Sequence, residues 1–292
     1  MNRATLRQIL LAALPGTVHF GARFSAYDHL PDGRVRVRFD GDTTVTADLL
    51  IGADGVGSAA RRQLVPRARV QDAGLRLIYG KIPLPNGRAA ALPKWVFDSI
   101  FTVVTGPDDT HLGLGPVNLA SRPDVASSKL APSMSLSPVD DYVACLVGAP
   151  ADHRLMRPFD ELRQLDRTAL RQLAEDIIGP HWHPDIHRVL GSWDTESLFP
   201  LRISTALPVE QWDTHGVTLV GDAIHAMSPV LAMGANTALR DAGELTRTLS
   251  AAIADGTSPH DAVRRYEAEM LDYSTALVAA SRRTGKERVG QR

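Results

Sequence analysis

Two short apolar runs, each followed directly by an acidic residue next to a glycine, constrain the fold of this chain most. Residues 217–220 precede Gly221-Asp222, and residues 49–53 precede Asp54-Gly55. Apolar runs of this length are too short for a helix and are typical of buried strands. In open α/β sheets, ligands bind beyond the carboxyl ends of the strands. We therefore predict that Asp54 and Asp222 lie side by side where neighbouring strands end, and an acid there can accept hydrogen bonds from ribose or ribityl hydroxyls.

A helix is predicted to begin near residues 233–236, about a dozen residues after Asp222. Pro229 ends any helix that starts at Asp222, and the small Gly234 and Ala235 leave backbone N–H groups accessible. A helix N-terminus carries about half a positive charge and binds anions. This helix start could stabilise the negative N1–C2=O edge of a reduced flavin. The alternative is an ordinary strand–loop–helix crossover with an incidental acid. The predicted buried stripe is Ala238, Ala242, Leu245, Leu249 and Ile253.

The first strand end leads into a short predicted helix capped by Ser58, with Arg61 and Arg62 in its first turn. Positive charge is unfavourable at a helix N-terminus. The two arginines therefore indicate either that a phosphate-bearing partner binds there or that they lie on a solvated face. For Arg62 the solvated face is the better interpretation. Residues 55–60 also match the G-x-G-x-x-A dinucleotide pattern. We reject that match, because Pro66 cuts the helix short and the next strand-like run does not end in an acid.

The N-terminal region predicts a helix and then a strand meander. Leu6, Leu10 and Leu14 share a helix face that Pro15-Gly16 ends. Residues 18–24 are predicted to form a strand, and Val45 is predicted to lie in a later strand of the meander. Residues 35, 37 and 39 are apolar and alternate with arginines at 34, 36 and 38, so this strand is predicted to be half-buried with its arginines in solvent.

The middle of the chain, residues 66–200, is rich in prolines that separate short strand-like runs such as 112–114 and 143–147. It predicts a mostly β insert with one clear helix, residues 159–178, which Gly179-Pro180 ends. A last helix is predicted from Ser258-Pro259 toward Ser281. The polar tail after Arg283 is expected to be loose.

Composition and charge favour an ordinary globular protein. Lys plus Arg total 32 and Asp plus Glu total 33, so no nucleic-acid or membrane partner is expected. No apolar run approaches the roughly 20 residues of a membrane span, and the N-terminus does not resemble a signal peptide. The single cysteine, Cys145, fits a reducing cytoplasm and is predicted to be a core residue. His and Asp residues at 181–187 suggest a metal site, but Pro184 breaks their spacing, and no metal is expected.

Taken together, the two strand ends resemble those of the class A, single-component FAD-dependent monooxygenases related to para-hydroxybenzoate and salicylate hydroxylases. Asp54-Gly55 with Ser58 and Arg61 resembles their Asp-Gly motif, which touches FAD and the nicotinamide cofactor. Gly221-Asp222 resembles their Gly-Asp motif, whose acid holds the ribityl chain or ribose. The residues that extend the resemblance are Arg3, Trp212, His225, Pro229, Asn236 and Asp241.

The resemblance implies an α/β fold: an incomplete FAD-binding, Rossmann-like domain of the glutathione-reductase type, with a mostly β substrate-domain insert and C-terminal helices. Residues 1–66 and 200–292 would form the FAD-binding domain, and 67–199 the substrate domain. Members of the family begin with a βαβ unit carrying G-x-G-x-x-G, which this chain starts after, so we expect a fragment or a fold completed by something else. Ala232 stands where the family has a glycine, which costs about 1 kcal/mol if φ is positive there.

The implied activity is a monooxygenase reaction in which NAD(P)H reduces FAD and O₂ provides the oxygen that hydroxylates or epoxidises an aromatic or polyketide-like small molecule. By resemblance, Asp222 and Arg3 hold FAD, and Pro229 lines the side where oxygen reacts. Asp54 and Arg61 serve the pyrophosphate region. The remaining cofactor-binding residues are Gly55, Gly221, Gly234, Ala235 and Asn236, with the amides of Gly234 and Ala235 facing the flavin C2 oxygen. His225 is expected to be packed rather than a proton donor.

Two alternatives remain open. One is a flavin reductase or halogenase of the same fold, although halogenases carry Trp-x-Trp-x-Ile-Pro and the tryptophans here do not have that spacing. The other is a non-catalytic remnant, or a partner-dependent subunit that does not hold FAD. The substrate, the choice between NADH and NADPH, and the oligomeric state do not follow from the sequence.

Overall fold

The computed structural model of this protein describes residues 2–14, 16–84 and 92–292. By their contacts the residues form two compact units. Unit one comprises Met1–Phe20 and Gly74–Arg202, and unit two comprises Gly21–Ala73 and Ile203–Arg292. The first residues of the chain thus group with the middle segment, whereas the sequence grouped them with residues 21–66. The division into an FAD-binding and a substrate domain stays a prediction.

The helices and strands are numbered in chain order. The helices are α1 Arg3–Ala12, α2 Ala59–Leu64, α3 Pro123–Leu130, α4 Phe159–Leu162, α5 Arg167–Ile178, α6 Pro184–Gly191, α7 Asp222–His225, α8 Gly234–Ala254 and α9 Pro259–Val289. The strands are β1 Phe24–His29, β2 Val35–Phe39, β3 Thr44–Ala47, β4 Leu50–Gly52, β5 Val70–Pro83, β6 Thr102–Thr105, β7 His111–Val117, β8 Tyr142–Pro150, β9 Asp194–Ala206 and β10 Val217–Leu219. Over the ranges that are described, no helix is long and apolar enough to cross a membrane.

In unit two, β1, β2 and β3 form an antiparallel meander. Val35 and Val37 are buried while Arg36 and Arg38 are exposed, which confirms the predicted alternation. The predicted strand at residues 18–24 is wrong, because the extended segment begins only at Phe24. The reason is local: the chain turns at Gly21, where φ is 78°.

Also in unit two, β4 and β10 are parallel neighbours, with Leu50 opposite Val217 and Gly52 opposite Leu219. A Cβ atom on Gly52 would lie 2.7 Å from Ala60 Cβ and 2.7 Å from Leu219 Cδ2. Glycine is therefore required there, because it lets α2 pack closely on both strands. The prediction of a buried strand at residues 49–53 is wrong at Ile51, which is 43% exposed.

The last two helices of unit two pack against each other. The buried side of α8 differs from the predicted stripe, since Ile253 is 73% exposed. The residues that α8 buries are Thr237, Asp241, Leu245, Thr248 and Ala252. The prediction considered only apolar residues. It therefore did not include Asp241, whose carboxylate is buried.

Helix α9 begins as predicted, with Ser258 Oγ accepting a hydrogen bond from the Asp261 amide and Pro259 in the first turn. The prediction of a loose tail after Arg283 is wrong. The helix continues to Val289, and Gly290 ends it with φ at 66°.

In unit one, a sheet runs in the order β6-β7-β8-β5-β9, and one of its faces packs against α5 and α6. The runs predicted at residues 112–114 and 143–147 lie in β7 and β8. Cys145 is fully buried in this core, as predicted, and burial raises the pKa of its thiol.

The helices of unit one differ in part from the sequence interpretation. The single helix predicted at residues 159–178 is two helices, α4 and α5, because Asp166 caps a new start by accepting from the Ala169 amide. The sequence missed α3 and α6. In α6, His183 is the N-cap and Pro184 the first residue, so this His/Asp-rich segment forms a helix start.

Candidate FAD-binding site

The two motifs follow adjacent strands of unit two. Gly52 pairs with Leu219, and Asp54 and Asp222 come two and three residues later. Because β4 and β10 are parallel, both chains leave the strands at the same edge. This is the arrangement that open α/β sheets use to bind ligands.

Asp54 lies in the loop between β4 and α2 and caps that helix. Its carboxylate accepts hydrogen bonds from the amides of Ala59 at 2.6 Å and Ala60 at 3.2 Å. Burial acts to raise the pKa of Asp54, but hydrogen bonds from the Ser58 hydroxyl and the two amides outweigh it and lower the pKa overall. The group is therefore a fixed carboxylate at neutral pH. The Ser58 hydroxyl also accepts from the Arg61 amide, at 2.8 Å, as the predicted cap requires.

Arg61 joins the two loops. Its side chain is buried, and its guanidinium donates to Val56 O at 3.0 Å and to Ala223 O at 2.6 Å. Val56 belongs to the Asp-Gly loop, and Ala223 directly follows Asp222. Arg61 thus holds one motif against the other, a role that sequence reasoning missed, and its predicted place at the pyrophosphate stays a prediction. Arg62 is exposed and donates to Gly57 O, which agrees with a solvated side chain.

Gly221 and Asp222 form the turn from β10 into α7. Gly221 has φ 62° and ψ −144°, a region that residues other than glycine rarely adopt. A Cβ atom there would also lie 3.1 Å from Ala238 Cβ on α8. The next residue, Asp222, is exposed at the first position of α7. Its carboxylate is therefore available to accept hydrogen bonds from a ligand.

A buried polar network anchors this turn to α8 and α9. Asp241, which is fully buried, accepts from the Gly221 amide at 2.7 Å and from the Tyr273 hydroxyl at 2.5 Å. His225 Nε2 lies 2.6 Å from the same carboxylate, and this side chain is 3% exposed. His225 is thus packed beneath the loop. The role of Tyr273 was missed, because nothing in the sequence links it to a carboxylate 32 residues earlier.

The loop after α7 contains Pro229 and Ala232. Pro229 is exposed and begins a 3-10 turn, Pro229–Leu231. Ala232 follows with φ 53° and ψ 25°, in the left-handed region. The backbone angle φ is therefore positive at the position where the family has a glycine. An alanine with this φ carries backbone strain of about 1 kcal/mol.

Helix α8 begins at Gly234 without a side-chain cap, since Met233 makes no capping hydrogen bond. The first amide bonded within the helix is that of Thr237, to Met233 O. The amides of Gly234, Ala235 and Asn236 therefore lack helical partners, and the latter two residues are exposed. These are the groups that could face an anionic or carbonyl oxygen.

Arg3 is the first residue of α1, in unit one, and its side chain is exposed. Asn2 caps this helix by accepting from the Ala4 amide at 2.9 Å. The contact of Arg3 with FAD stays a prediction.

Comparison with known proteins supports FAD as the cofactor. A domain family described as FAD binding domain matches residues 154–281. The chain is 29% identical over 291 residues to the dual O-methyltransferase/FAD-dependent monooxygenase elcB of Phaeosphaeria nodorum, covering 90% of this chain and 30% of that protein. It is 30% identical over 288 residues to 3-amino-4-hydroxybenzoate 2-monooxygenase of Streptomyces cremeus, covering 98% of this chain and 62% of that enzyme.

The fold agrees as well. A crystal structure of a Photorhabdus luminescens protein described as an FAD-containing monooxygenase superposes with a TM-score of 0.81 at 29% identity, covering 99% of this chain and 74% of that one. The chain is thus similar in sequence and in fold to FAD-dependent monooxygenases. The matching domain family supports FAD as the cofactor, and the α/β FAD-binding fold with a β insert and C-terminal helices is confirmed. The chain spans 30% of the length of the first curated relative and 62% of the second.

The residues of unit two fit such a cofactor. Asp222 offers an exposed carboxylate to hydroxyl groups, and the start of α8 offers amides without helical partners. Gly55 has φ 73°, and the space where its Cβ would lie is open to 4 Å. A ligand can therefore come close to the backbone at Gly55 on the side where other residues carry a Cβ atom.

Proposed function

We propose that this chain acts as a class A FAD-dependent monooxygenase, with unit two as its FAD-binding domain and unit one supplying the substrate pocket. The observation that carries the proposal is the register of β4 with β10, since it brings the Asp-Gly and Gly-Asp motifs to one sheet edge. The reaction proposed is hydroxylation of an electron-rich aromatic small molecule, with NAD(P)H as reductant and O₂ as oxygen source.

The following roles are proposed for the predicted residues. Asp222, exposed at the start of α7, would accept hydrogen bonds from ribityl or ribose hydroxyls. The amides of Gly234 and Ala235 would hold the flavin C2 oxygen, and Asp54 with Arg61, which fix their loop, would hold the pyrophosphate region. The other residues assigned to FAD are Arg3, Gly55, Gly221 and Asn236.

When bound, FAD supplies the transfer of two electrons from NAD(P)H and the activation of O₂. The protein supplies binding and electrostatics. The N-terminus of α8, with its partial positive charge, would stabilise negative charge at the flavin pyrimidine edge. Pro229, which is rigid and has no N–H to donate, would line the side where oxygen reacts.

An aromatic substrate is supported by the second face of the sheet in unit one. Tyr79 and Lys81 share a side of β5, since alternate residues of a strand point the same way. The Tyr79 ring lies 5.0 Å from that of Phe199, and Lys81 Nζ lies 4.8 Å from the centroid of the Tyr142 ring. Burial, and then the neighbouring Tyr142, raises the pKa of Tyr79 to about 12, so its hydroxyl stays protonated and can donate at neutral pH.

These groups suit a planar ring that carries a negative charge. Aromatic side chains would stack on the ring, and Lys81 would pair with a carboxylate or phenolate. The name of the Streptomyces cremeus relative, 3-amino-4-hydroxybenzoate 2-monooxygenase, describes such a substrate for that protein. We therefore propose an aminated or hydroxylated aromatic acid for this one.

Turnover under isotopically labelled O₂ tests the proposal. The protein, supplied with FAD and either NADH or NADPH, is expected to incorporate one labelled oxygen into a hydroxylated or aminated benzoate. Lys81→Met should raise KM for the acid by about tenfold, while Lys94→Met, at an exposed position, should not. NAD(P)H consumption that yields hydrogen peroxide and no labelled product with any such acid would indicate a flavin reductase and contradict the proposal.

A further inference from the structure

A cavity of about 340 Å³ lies within unit two, and none of the residues assigned to FAD lines it. Its walls come from the end of β9 and the residues after it, from α7, and from one side of α9. The volume falls within the range of small-molecule sites in proteins. The cavity can therefore hold a small organic ligand.

The lining changes from apolar to cationic along α9. The apolar part of the lining includes Leu271 and Val278 on α9 together with Leu207, Val209 and Ile224. The last lining positions on the helix are Arg282, Arg283 and Lys286. From Leu271 to Lys286 the helix rises about 22 Å, so the apolar body and the charged end of one ligand can be accommodated together.

The cationic end carries an excess of positive charge. Among the described residues, the lining of the cavity includes no aspartate or glutamate. In the described part of the chain, no ion pair forms at Arg282, Arg283 or Lys286. A concave surface with charge of one sign attracts ligands of the opposite sign. The charge at this end therefore selects an anion.

A second, independent feature is the imidazole of His225, which also lines the cavity. Its Nε2 is held by Asp241, at 2.6 Å. Its Nδ1 is buried and has no hydrogen-bond partner among the residues described. Buried polar atoms normally have a partner, and a ligand hydroxyl that donates to Nδ1 would supply one.

We propose that this cavity binds a small carboxylate with an apolar body and a hydroxyl group. The carboxylate lies among Arg282, Arg283 and Lys286, and the apolar body packs against α9. The hydroxyl reaches His225 Nδ1. Such a ligand can be aromatic or aliphatic, and both are probed below.

Direct binding measurements test the site without turnover or flavin. A fluorescent hydroxynaphthoate is titrated into the protein, and a hydroxydecanoate serves as the aliphatic competitor. Saturable binding of either probe is expected, with naphthoate, which lacks the hydroxyl, binding about tenfold more weakly. The probe with the higher affinity identifies the ligand as aromatic or aliphatic.

Variants on α9 locate the binding. Arg283→Gln/Lys286→Gln should weaken it by about tenfold or more, and Ala279→Trp, at an exposed lining position, should block it. Arg288→Gln is the matched control, because Arg288 is exposed in the same part of the helix and does not line the cavity. Equal affinity for naphthoate, unchanged affinity in Ala279→Trp, or no saturable binding of any probe would overturn the proposal.

Discussion

Gly52 and Leu219 are directly paired across the parallel strands β4 and β10. The pair sets the level at which both chains leave the sheet, so that the Asp-Gly and Gly-Asp loops start together. Arg61 then bridges the loops, with one guanidinium nitrogen on Val56 O and another on Ala223 O. The candidate site thus depends on a strand register and on one buried side chain.

Arg61→Lys should reduce the free energy of unfolding by about 2 kcal/mol, because a single ammonium group does not reproduce the planar fork that meets two carbonyls. Urea denaturation measures the change. Arg62→Lys is the matched control, since Arg62 is exposed, and it should change stability by less than about 0.5 kcal/mol. Equal effects of the two substitutions would show that Arg61 does not hold the loops together.

Asp241→Asn should destabilise the protein by about 3 kcal/mol, because the amide cannot accept from the Gly221 amide, His225 and Tyr273 at once. Tyr273→Phe removes one donor and should cost about 1 kcal/mol. Thermal and chemical unfolding of both variants compares the losses. If the asparagine variant lost no more stability than the phenylalanine variant, the buried carboxylate would not be the centre of this network.

Ala232→Gly should stabilise the protein by about 1 kcal/mol, since φ is 53° at this position and glycine adopts that conformation without strain. Ala276→Gly should have the opposite effect on stability. Ala276 is exposed within α9, where glycine should cost about 1 kcal/mol. Unfolding midpoints that moved in the same direction for both variants would contradict the strain assigned to Ala232.

Glu267 should make stability depend on pH. Burial raises its pKa above the ordinary value of 4.5, against hydrogen bonds from Thr214 and Thr218. A raised pKa means that the folded state binds the proton more tightly than the unfolded state. The contribution of Glu267 to the stability of the folded state is therefore complete below pH 4.5. It is lost as pH rises through the raised pKa that Glu267 has in the folded state.

Glu267→Gln should abolish this component of the pH dependence, and Glu287→Gln, at an exposed position of α9, should retain it. Urea denaturation at several pH values above 4.5 measures the difference. A difference in stability between wild type and Glu267→Gln that stays constant across this range would show that Glu267 does not titrate differently on folding.

Local signals in the sequence were sufficient for much of this fold. The strands before Asp54 and Asp222 follow from short apolar runs, and the start of α9 follows from Ser258-Pro259. These features depend on residues within a few positions of one another. For the same reason the alternation of β2 and the break at Gly179 were predicted correctly.

Long-range contacts were not predictable in the same way. Arg61 donates to a carbonyl 162 residues later, and Tyr273 to a carboxylate 32 residues earlier. The buried face of α8 was predicted incorrectly because it contains Asp241. The carboxylate of Asp241 can be buried because it has three hydrogen-bond partners, and hydrophobic periodicity does not reveal such partners. The end of α9 was missed because Arg292 donates its amide to Ala73 O, a contact with a distant part of the chain.

The central claim is that the sheet edge at Asp54 and Asp222 holds FAD, and a titration with FAD tests it most directly. Flavin absorbance retained after gel filtration measures binding. Wild type and Asp255→Ala, a control at the exposed far end of α8, should retain FAD equally. Asp222→Ala should lose at least about tenfold in affinity. Undiminished FAD retention by Asp222→Ala, or no retention by wild type, would contradict the assignment.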